Sequence, residues 1–478
     1  MNTPFRHSRI AIAVAGCVLA FAAGQAQGAA FALAETSGSG LGNAFAGGAA
    51  AAEDASTVWS NPAGMVRLPT MQAAAALHVI TPSIQFNNNG SIAALNQPLG
   101  HEGGDAGTHN YVPNMYFTVP VTKELFFGLG VNAPFGLVTW YGEGWMGRYQ
   151  GIKSDLKVIN VEPALAWKIN NEWSVGAGIN YQKIEATLTQ ATNYSAGMAQ
   201  GAQLAAAAGA IPASLVPQII GATAGLDGTG KIDGDDSAWG WNIGVLYNLN
   251  SKQRIGAHYR SSIKYDVVGS VNFTTPVPPV PASVPAALAP AISAIAAQVN
   301  ASPTFANGGV NLAIELPPKV NLSYFGALDD RWDLMADVQW TGWSSIPEFK
   351  VVRNNGTVLT DQHWNYDDSW RFAGGANYHY DSQWTFRGGI AYDLTPTNDL
   401  ERSVRLPDSD RVWLSAGAQY KWDKNWAFDV GFTYIIGQSA SIDQYANATA
   451  ASIAAYGKVK GDYDASVTIL SGQVTYSF

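Results

Sequence analysis

The chain has 478 residues, too many for one ordinary sandwich domain, with 13% charged and 11% aromatic residues, among them 16 Trp and 20 Tyr. Its formal charge is −9, and removal of Arg6 and Arg9 with an N-terminal leader makes it about −11, a balance that argues against a nucleic-acid partner. No later window offers an unbroken apolar helix of spanning length, so low charge and abundant aromatics point to a transmembrane β-barrel.

Residues 1–30 read as a secretory leader. Arg6 and Arg9 form its basic start and Ile10 to Gly24 its apolar middle; small residues at Gly24 and Ala26, or Gly28 and Ala30, allow cleavage after Ala26 or Ala30. Val14-Ala15-Gly16-Cys17 has the form of a lipoprotein box, but only four apolar residues precede it and more follow, which suits a removed leader better. Cys17 is the sole cysteine, so its removal leaves no thiol, no disulfide framework and no Cys-ligated metal.

Glu35 to Leu68 is dense in glycine and alanine, residues that let backbone pack closely in a confined space. A solvated Gly-rich linker has no need of Leu41, Phe45, Val58 and Trp59, and Asn61-Pro62 marks a sharp turn. Residues 31–70 therefore read as a compact plug lying inside a barrel formed by residues 71–478.

Three runs in this stretch carry a resemblance: Ser39-Gly40-Leu41-Gly42-Asn43-Ala44-Phe45-Ala46-Gly47, Asp54-Ala55-Ser56-Thr57 and Asn61-Pro62-Ala63-Gly64. In this order, after a leader, they resemble the N-terminal hatch of the FadL-type outer-membrane transporters, which carry long-chain fatty acids and other hydrophobic molecules. The resemblance implies that Gly40, Gly42, Asn43, Gly47, Asp54, Asn61, Pro62 and Ala63 belong to a gating hatch, that the barrel has fourteen strands, and that the protein sits in the outer membrane of a Gram-negative bacterium.

Period-two alternation follows. Trp239, Trp241, Ile243, Val245 and Tyr247 share one parity, as do Trp384, Phe386, Ile390 and Tyr392, and Trp426, Phe428, Val430, Phe432, Tyr434 and Ile436. Trp and Tyr at the strand ends fit membrane-interface girdles. Six short polar connections, Val121 to Leu125, Lys168 to Trp173, Asn248 to Arg254, Leu328 to Trp332, Tyr380 to Trp384 and Trp422 to Trp426, join twelve strands. A first strand near Met71 to Phe86 and a last near Asp464 to Phe478 make fourteen, an even number that closes a barrel. The last strand ends on Val474, Tyr476 and Phe478, which looks like the signal read by the barrel assembly machinery.

Two outer connections stand out, because no charge occurs between Glu185 and Asp227 or between Asp266 and Glu315. Exposed loops are normally polar, so Leu204, Leu215, Val216, Ile219, Ile220, Ile292 and Ile295 read as a landing surface for an apolar ligand; low-complexity insertions without a role are the alternative. A short helix is expected around Ala202 and none across the Pro276 to Pro290 run. The resemblance likewise implies two long capture loops. A second matching stretch is Val131-Asn132-Ala133-Pro134-Phe135-Gly136-Leu137 followed by Trp145-Met146-Gly147-Arg148-Tyr149. The resemblance implies a kinked third strand with a sideways exit at Pro134, Phe135 and Gly136; an ordinary Pro-Phe-Gly turn is the alternative.

No catalytic motif, cofactor fingerprint or metal-ligand template is found. His101, Glu102, Asp105 and His109, and a Gly-rich loop carrying Asp227, Asp233, Asp235 and Asp236, match no known ligand spacing. By parity, lumen candidates include Glu162, Arg254, His258, Arg260, Lys264, Lys319, Asp333, Asp337, Arg371, Arg387, Asp393, Arg411 and Asp429, mostly as structural pairs. Arg260 and Lys319 are the candidates for a carboxylate head group. The expected function is passive, non-enzymatic uptake of a hydrophobic ligand, most readily a long-chain fatty acid, by a monomer. The alternatives are an aromatic-hydrocarbon channel of the same family, or a hydrophilic porin or structural barrel, which a hatch disfavours.

Overall fold

The computed structural model describes residues 29–278, 289–445 and 448–478, so all of the leader except Ala29 and Ala30 lies outside the described residues. A strand that meets lipid on one face must find backbone partners on both edges, and only a closed sheet provides them. The strands are β1 (Gln72–Asn88), β2 (Asn110–Pro120), β3 (Leu125–Trp140), β4 (Lys153–Lys168), β5 (Trp173–Asn193), β6 (Asp227–Asn248), β7 (Gln253–Arg260), β8 (Ile263–Thr274), β9 (Gly308–Leu316) and β10 (Lys319–Ala327). There follow β11 (Trp332–Thr341), β12 (Glu348–Arg353), β13 (Val358–His363), β14 (Ser369–His379), β15 (Trp384–Asp393), β16 (Arg411–Lys421), β17 (Trp426–Gly437), β18 (Ala440–Gln444) and β19 (Val459–Ser477). β7 and β8 form one interrupted stave, as do β9 and β10, β11 and β12, β13 and β14, and β17 and β18. The result is a 14-strand antiparallel barrel, closed by β1 pairing β19 from Gln72↔Ser477 to Asn88↔Gly461.

The six short turns fall where the sequence puts them, and share one chemistry. In five of them an Asn or Asp oxygen (Asn170, Asn250, Asp329, Asp381, Asp423) accepts the N–H groups two and three residues on; Thr122 does the same in the sixth. Such local bonds preset the turn before the strands pair. Trp173, Trp332, Trp384 and Trp426 follow these turns and are exposed, as are Trp239, Trp241 and Trp370 toward the other end, so the large apolar parity faces outward, to lipid.

Parity changes at three places along the way, the third at Pro317-Pro318 between β9 and β10. The stave of β7 and β8 is broken at Ser261 and Ser262: Arg254, Gly256, His258 and Arg260 point inward below the break, and Ile263, Tyr265 and Val267 above it. A one-residue shift carries every later side chain to the opposite face, so Lys264, expected in the lumen, lies outside against Glu315 (3.5 Å). In β3 the register to β4 shifts between Asn132 and Phe135, a bulge that turns Phe135 and Leu137 inward. A further correction concerns Asp227, Asp233, Asp235 and Asp236, which belong to no loop: all lie on β6, which runs well beyond the aromatic girdle.

Inside the barrel, residues 29–71 fold into short turns: helices Gly38–Leu41, Gly48–Ala51 and Thr57–Ser60, and a 3-10 turn Pro62–Arg67. Leu41, Val58 and Met65 are fully buried against the wall. Outside, the uncharged loops carry helices Tyr194–Ala207, Val216–Thr223 and Ala289–Asn300; the Pro276 to Pro290 run, where no helix is expected, lies mostly outside the described residues. Purified protein in detergent is expected to give a strand-dominated far-UV spectrum and a gel mobility that changes on boiling; a helix-dominated spectrum would contradict this architecture.

Candidate functional site

The hatch is seated by Asn61, which is fully buried. Its Oδ1 accepts from the Ala63 N–H (3.0 Å), and its Nδ2 donates to the carbonyls of Ala49 (2.7 Å) and of Val245 on β6 (3.0 Å). Pro62 then opens the 3-10 turn with its φ already set. Asp54 joins three groups: Oδ2 accepts from Ser39 Oγ (2.6 Å) and from Gln473 Nε2 on β19 (2.8 Å), and Oδ1 from the Ser56 N–H (2.8 Å). Gly40 donates its N–H to Ser37 Oγ (3.1 Å), and Gly47, at φ 74°, starts the helix Gly48–Ala51. Gly42 and Asn43 lie against the wall, Gly42 at Gly417 and the Asn43 carbonyl at Gly389.

The wall residues that receive the hatch escaped the sequence reading. Cβ atoms on Gly244 and Gly256 would come within 1.9 Å of Asn61 Oδ1 and of the Ala49 carbonyl oxygen. Only glycine permits that approach; the available signal was glycine recurring at inward parity. The lumen arginines do more than pair with acids. Arg254 Nε donates to the Ala50 carbonyl (2.5 Å), Arg371 Nη2 to Ala44 (2.6 Å) and Arg260 Nη2 to Trp59 (2.9 Å), while Arg387 Nη2 binds Glu53 (2.8 Å) and its Nη1 binds Asp429.

Arg260 is not a free cation. It pairs with buried Glu162 (3.1 Å), which also accepts from Asn180 (3.0 Å) and Asn242 (2.7 Å), and its guanidinium stacks 3.4 Å over the Trp59 ring. Lys319 differs. It follows Pro317-Pro318 at the break between β9 and β10, and its ammonium has no hydrogen-bond or carboxylate partner among the described residues; it lies 4.9 Å from the centroid of the Phe135 ring. Phe31 packs between Phe135 (5.9 Å) and Trp343 (4.9 Å) in a large apolar cluster with Leu137, Ile184, Tyr265 and Ile314. Leu188, Ile232, Phe273 and Leu359 extend that cluster toward the outer loops, where Phe273 meets Phe305.

At the bulge the wall is incomplete. The β2–β3 ladder ends at Met115↔Val131, although β3 continues to Trp140 beside β4. The N-terminal segment stands behind this gap and takes up its backbone groups. Leu33 N–H donates to the Pro134 carbonyl (2.9 Å) and Gly136 N–H to Phe31 (2.8 Å), an antiparallel bridge of Ala32 with Phe135. From the β2 side, Asn114 Nδ2 donates to the Glu35 carbonyl (2.7 Å) and Tyr116 OH to Thr36 (2.9 Å).

The outer loops correct one expectation. Ile219, Ile292 and Ile295 are buried, because the helices of the two loops pack on each other through Tyr194, Met198, Ala202 and Val299. Leu215, Val216 and Ile220 are partly buried and only Leu204 stands out, at 64% exposure. Apolar residues on neighbouring helices satisfy each other before they face water. His101, Glu102, Asp105 and His109 are not gathered: Asp105 caps Ile84 and Gly107, Glu102 meets Asn88 and His109 meets Thr81. Glu348, Asp361 and His363 do cluster on the outer surface, with Lys350 already 3.1 Å from Asp361.

A family model described as "Outer membrane protein transport protein (OMPP1/FadL/TodX)" matches residues 19–478. The chain belongs to this family. Among relatives, the long-chain fatty acid transport protein of Escherichia coli O157:H7 is 31% identical over 464 residues, covering 93% of this chain and 94% of that protein. Outer membrane protein P1 of Haemophilus influenzae is 31% identical over 412 residues, covering 82% and 83%. Among solved structures, a Pseudomonas aeruginosa FadL homologue superposes with a TM-score of 0.79 at 22% identity, covering 94% of this chain and all of that one. The Pseudomonas putida toluene transporter TodX gives 0.63 at 17%, with the same coverage. This member of the OMPP1/FadL/TodX family is thus an outer-membrane barrel. Below its hatch a vestibule of about 360 Å³ is lined by Glu53, Asp54, Asp333, His379, Arg387 and Lys421, a polar mouth unlike the apolar column above.

Asn61→Ala with Pro62→Ala removes three hydrogen bonds and a preset turn, a loss of roughly 2–3 kcal/mol in hatch seating; planar-bilayer recordings should show raised conductance for small ions with the heat-modifiable barrel intact. A second test concerns Glu35, a hatch residue whose carboxyl group is fully buried. Burial pushes its carboxyl up from 4.5 to about 7, against the smaller pull of backbone hydrogen bonds and of Arg371 and Arg411. The seated hatch therefore holds this proton more tightly than a displaced one, and seating is strongest below about pH 4.5 and weakens as pH rises to about 7. Ion leak should rise across that window in the wild type and stay flat in Glu35→Gln.

Proposed function

We propose that the chain is a passive outer-membrane transporter of long-chain fatty acids. The observation that carries this reading is the ammonium of Lys319, without a hydrogen-bond or carboxylate partner among the described residues, at the edge of a large apolar aromatic cluster, the complement of a carboxylate on a long hydrocarbon chain. The names of the curated relatives agree with it. The leader lies within residues 1–30; the buried Ala30 N–H donates to Asp408 (2.9 Å), which favours cleavage after Ala26 over cleavage after Ala30. Residues 31–70 act as the hatch, and the Phe478 end of β19 is read by the barrel assembly machinery, giving a monomer.

The ligand lands beside Leu204 and the partly buried Leu215, Val216 and Ile220, and moves down the column of Leu188, Ile232 and Phe273. Its carboxylate pairs with Lys319 while its chain competes with Phe31 for the faces of Phe135 and Trp343. Displacing Phe31 breaks the bridge of Ala32 with Phe135 and bares the gap between β2 and β3, so the ligand leaves sideways into lipid. The polar vestibule under the hatch disfavours release straight into the periplasm. An aromatic hydrocarbon would use the same pocket without needing Lys319.

Lys319→Gln is expected to weaken binding of a long-chain fatty acid about tenfold or more, since a charge-assisted hydrogen bond is worth about 1.5–3 kcal/mol, and to spare an alkane of equal length. Equal loss for both ligands in a fluorescence-displacement assay would remove Lys319 from the head-group role. Arg260→Gln should instead destabilise the barrel, because it strands buried Glu162.

A further inference from the structure

Above the aromatic girdle, β4, β5, β6 and β8 continue outward as a wall with two unlike faces. The even-numbered residues Leu156, Ile184, Leu188 and Ile232 pack inward on the apolar cluster. The odd-numbered ones face out, on the same side as the lipid-exposed Tyr181 and Trp239, and most are charged. The register sets them in rows: Lys157↔Glu185↔Asp235, then Asp155↔Thr187↔Asp233, then Lys153↔Thr189↔Lys231. Same-face neighbours along a strand are about 7 Å apart, so these rows occupy the first layers beyond the membrane interface. Lys183, one step beyond Tyr181, bonds Glu185 (2.8 Å) and approaches Asp235 (3.9 Å), while Lys157 bonds Glu185 from the other side (2.8 Å). Glu185 and Asp235 stand directly opposite each other, a like-charge pair that costs stability unless cations lie beside it. The first two rows, with Lys183, line a concave outer groove of about 450 Å³, and Lys153 and Lys231 stand in the row at its outer edge.

We propose that this outward groove docks the head group of a phosphorylated glycolipid of the outer leaflet, with Lys157, Lys183 and Lys231 on its phosphates and Glu185, Asp233 and Asp235 on the divalent cations that accompany them. Four observations favour that occupant. The groove is continuous with the lipid-facing wall; it begins at the height where head groups begin; it offers both signs of charge in alternation, as a phosphate–cation layer requires; and its lysines are half-exposed, free to exchange a carboxylate for a phosphate. The inference rests on the outer-membrane setting and not on what the lumen carries.

The test uses the mature full-length barrel in detergent, titrated with bisphosphorylated lipid A in magnesium, with bound lipid read by native mass spectrometry. One lipid per barrel is expected, reduced roughly tenfold or more in apparent affinity by Lys157→Glu with Lys183→Glu and Lys231→Glu, by chelating the magnesium, and by using dephosphorylated lipid A. Lys421→Glu with Lys424→Glu, at the periplasmic end, should change nothing. Failure of the wild type to bind, equal binding by the triple variant, or equal binding of dephosphorylated lipid A would overturn the assignment. If the triple variant loses its heat-modifiable mobility, Lys183→Gln decides: a fall of about threefold supports the groove, and unchanged binding overturns it.

Discussion

A closed barrel satisfies its own backbone, but a plug made of short turns leaves carbonyls with no partner of their own. Those carbonyls are what the lumen arginines hold. Arg254, Arg260 and Arg371 reach from two staves to Ala50, Trp59 and Ala44, and a guanidinium is suited to this because it offers several fixed donors and stays charged. The clamps reach their acceptors because glycine at Gly256 and Gly389 lets hatch backbone lie directly on strand backbone. Take either away and the hatch has nothing to rest on; the apolar pocket above it would then open downward into water.

The broken staves divide the lumen into two chambers. Below the breaks the inward residues are Arg254, His258, Arg260, Ser323 and Asp337, a polar shell around the hatch. Above them they are Ile263, Tyr265, Ile314, Leu316 and Val351, an apolar shell. Two Ser residues at one break and two Pro residues at another change the parity of whole strands, and so turn one continuous sheet into a container with an oily top and a wet floor. Lys319 stands at the boundary between the two.

Much of this was legible in the sequence. The six turns carried their own Asx chemistry, the exposed Trp residues kept strict parity, and the hatch motif stood in one contiguous run, so strand number, strand limits and plug followed from local signals. What failed depended on distance. Lys264 went to the wrong face because Ser261-Ser262 is compatible with unbroken alternation. Arg260 looked free because its partner Glu162 lies three staves away, linked through Asn180 and Asn242. Ile219, Ile292 and Ile295 looked exposed because each loop was read alone, whereas their helices bury one another.

The short β2–β3 ladder sets a direction of relaxation as well as an opening. While Ala32 and Leu33 lie behind it, the N–H of Gly136 and the carbonyl of Pro134 are bonded. Should that segment withdraw, both groups are left facing hydrocarbon, where an unmade hydrogen bond is at its most expensive. The open seam is then the strained state and the shut one the rest position. The sideways exit proposed above would therefore reset by backbone chemistry alone, as the N-terminal residues find their edge again.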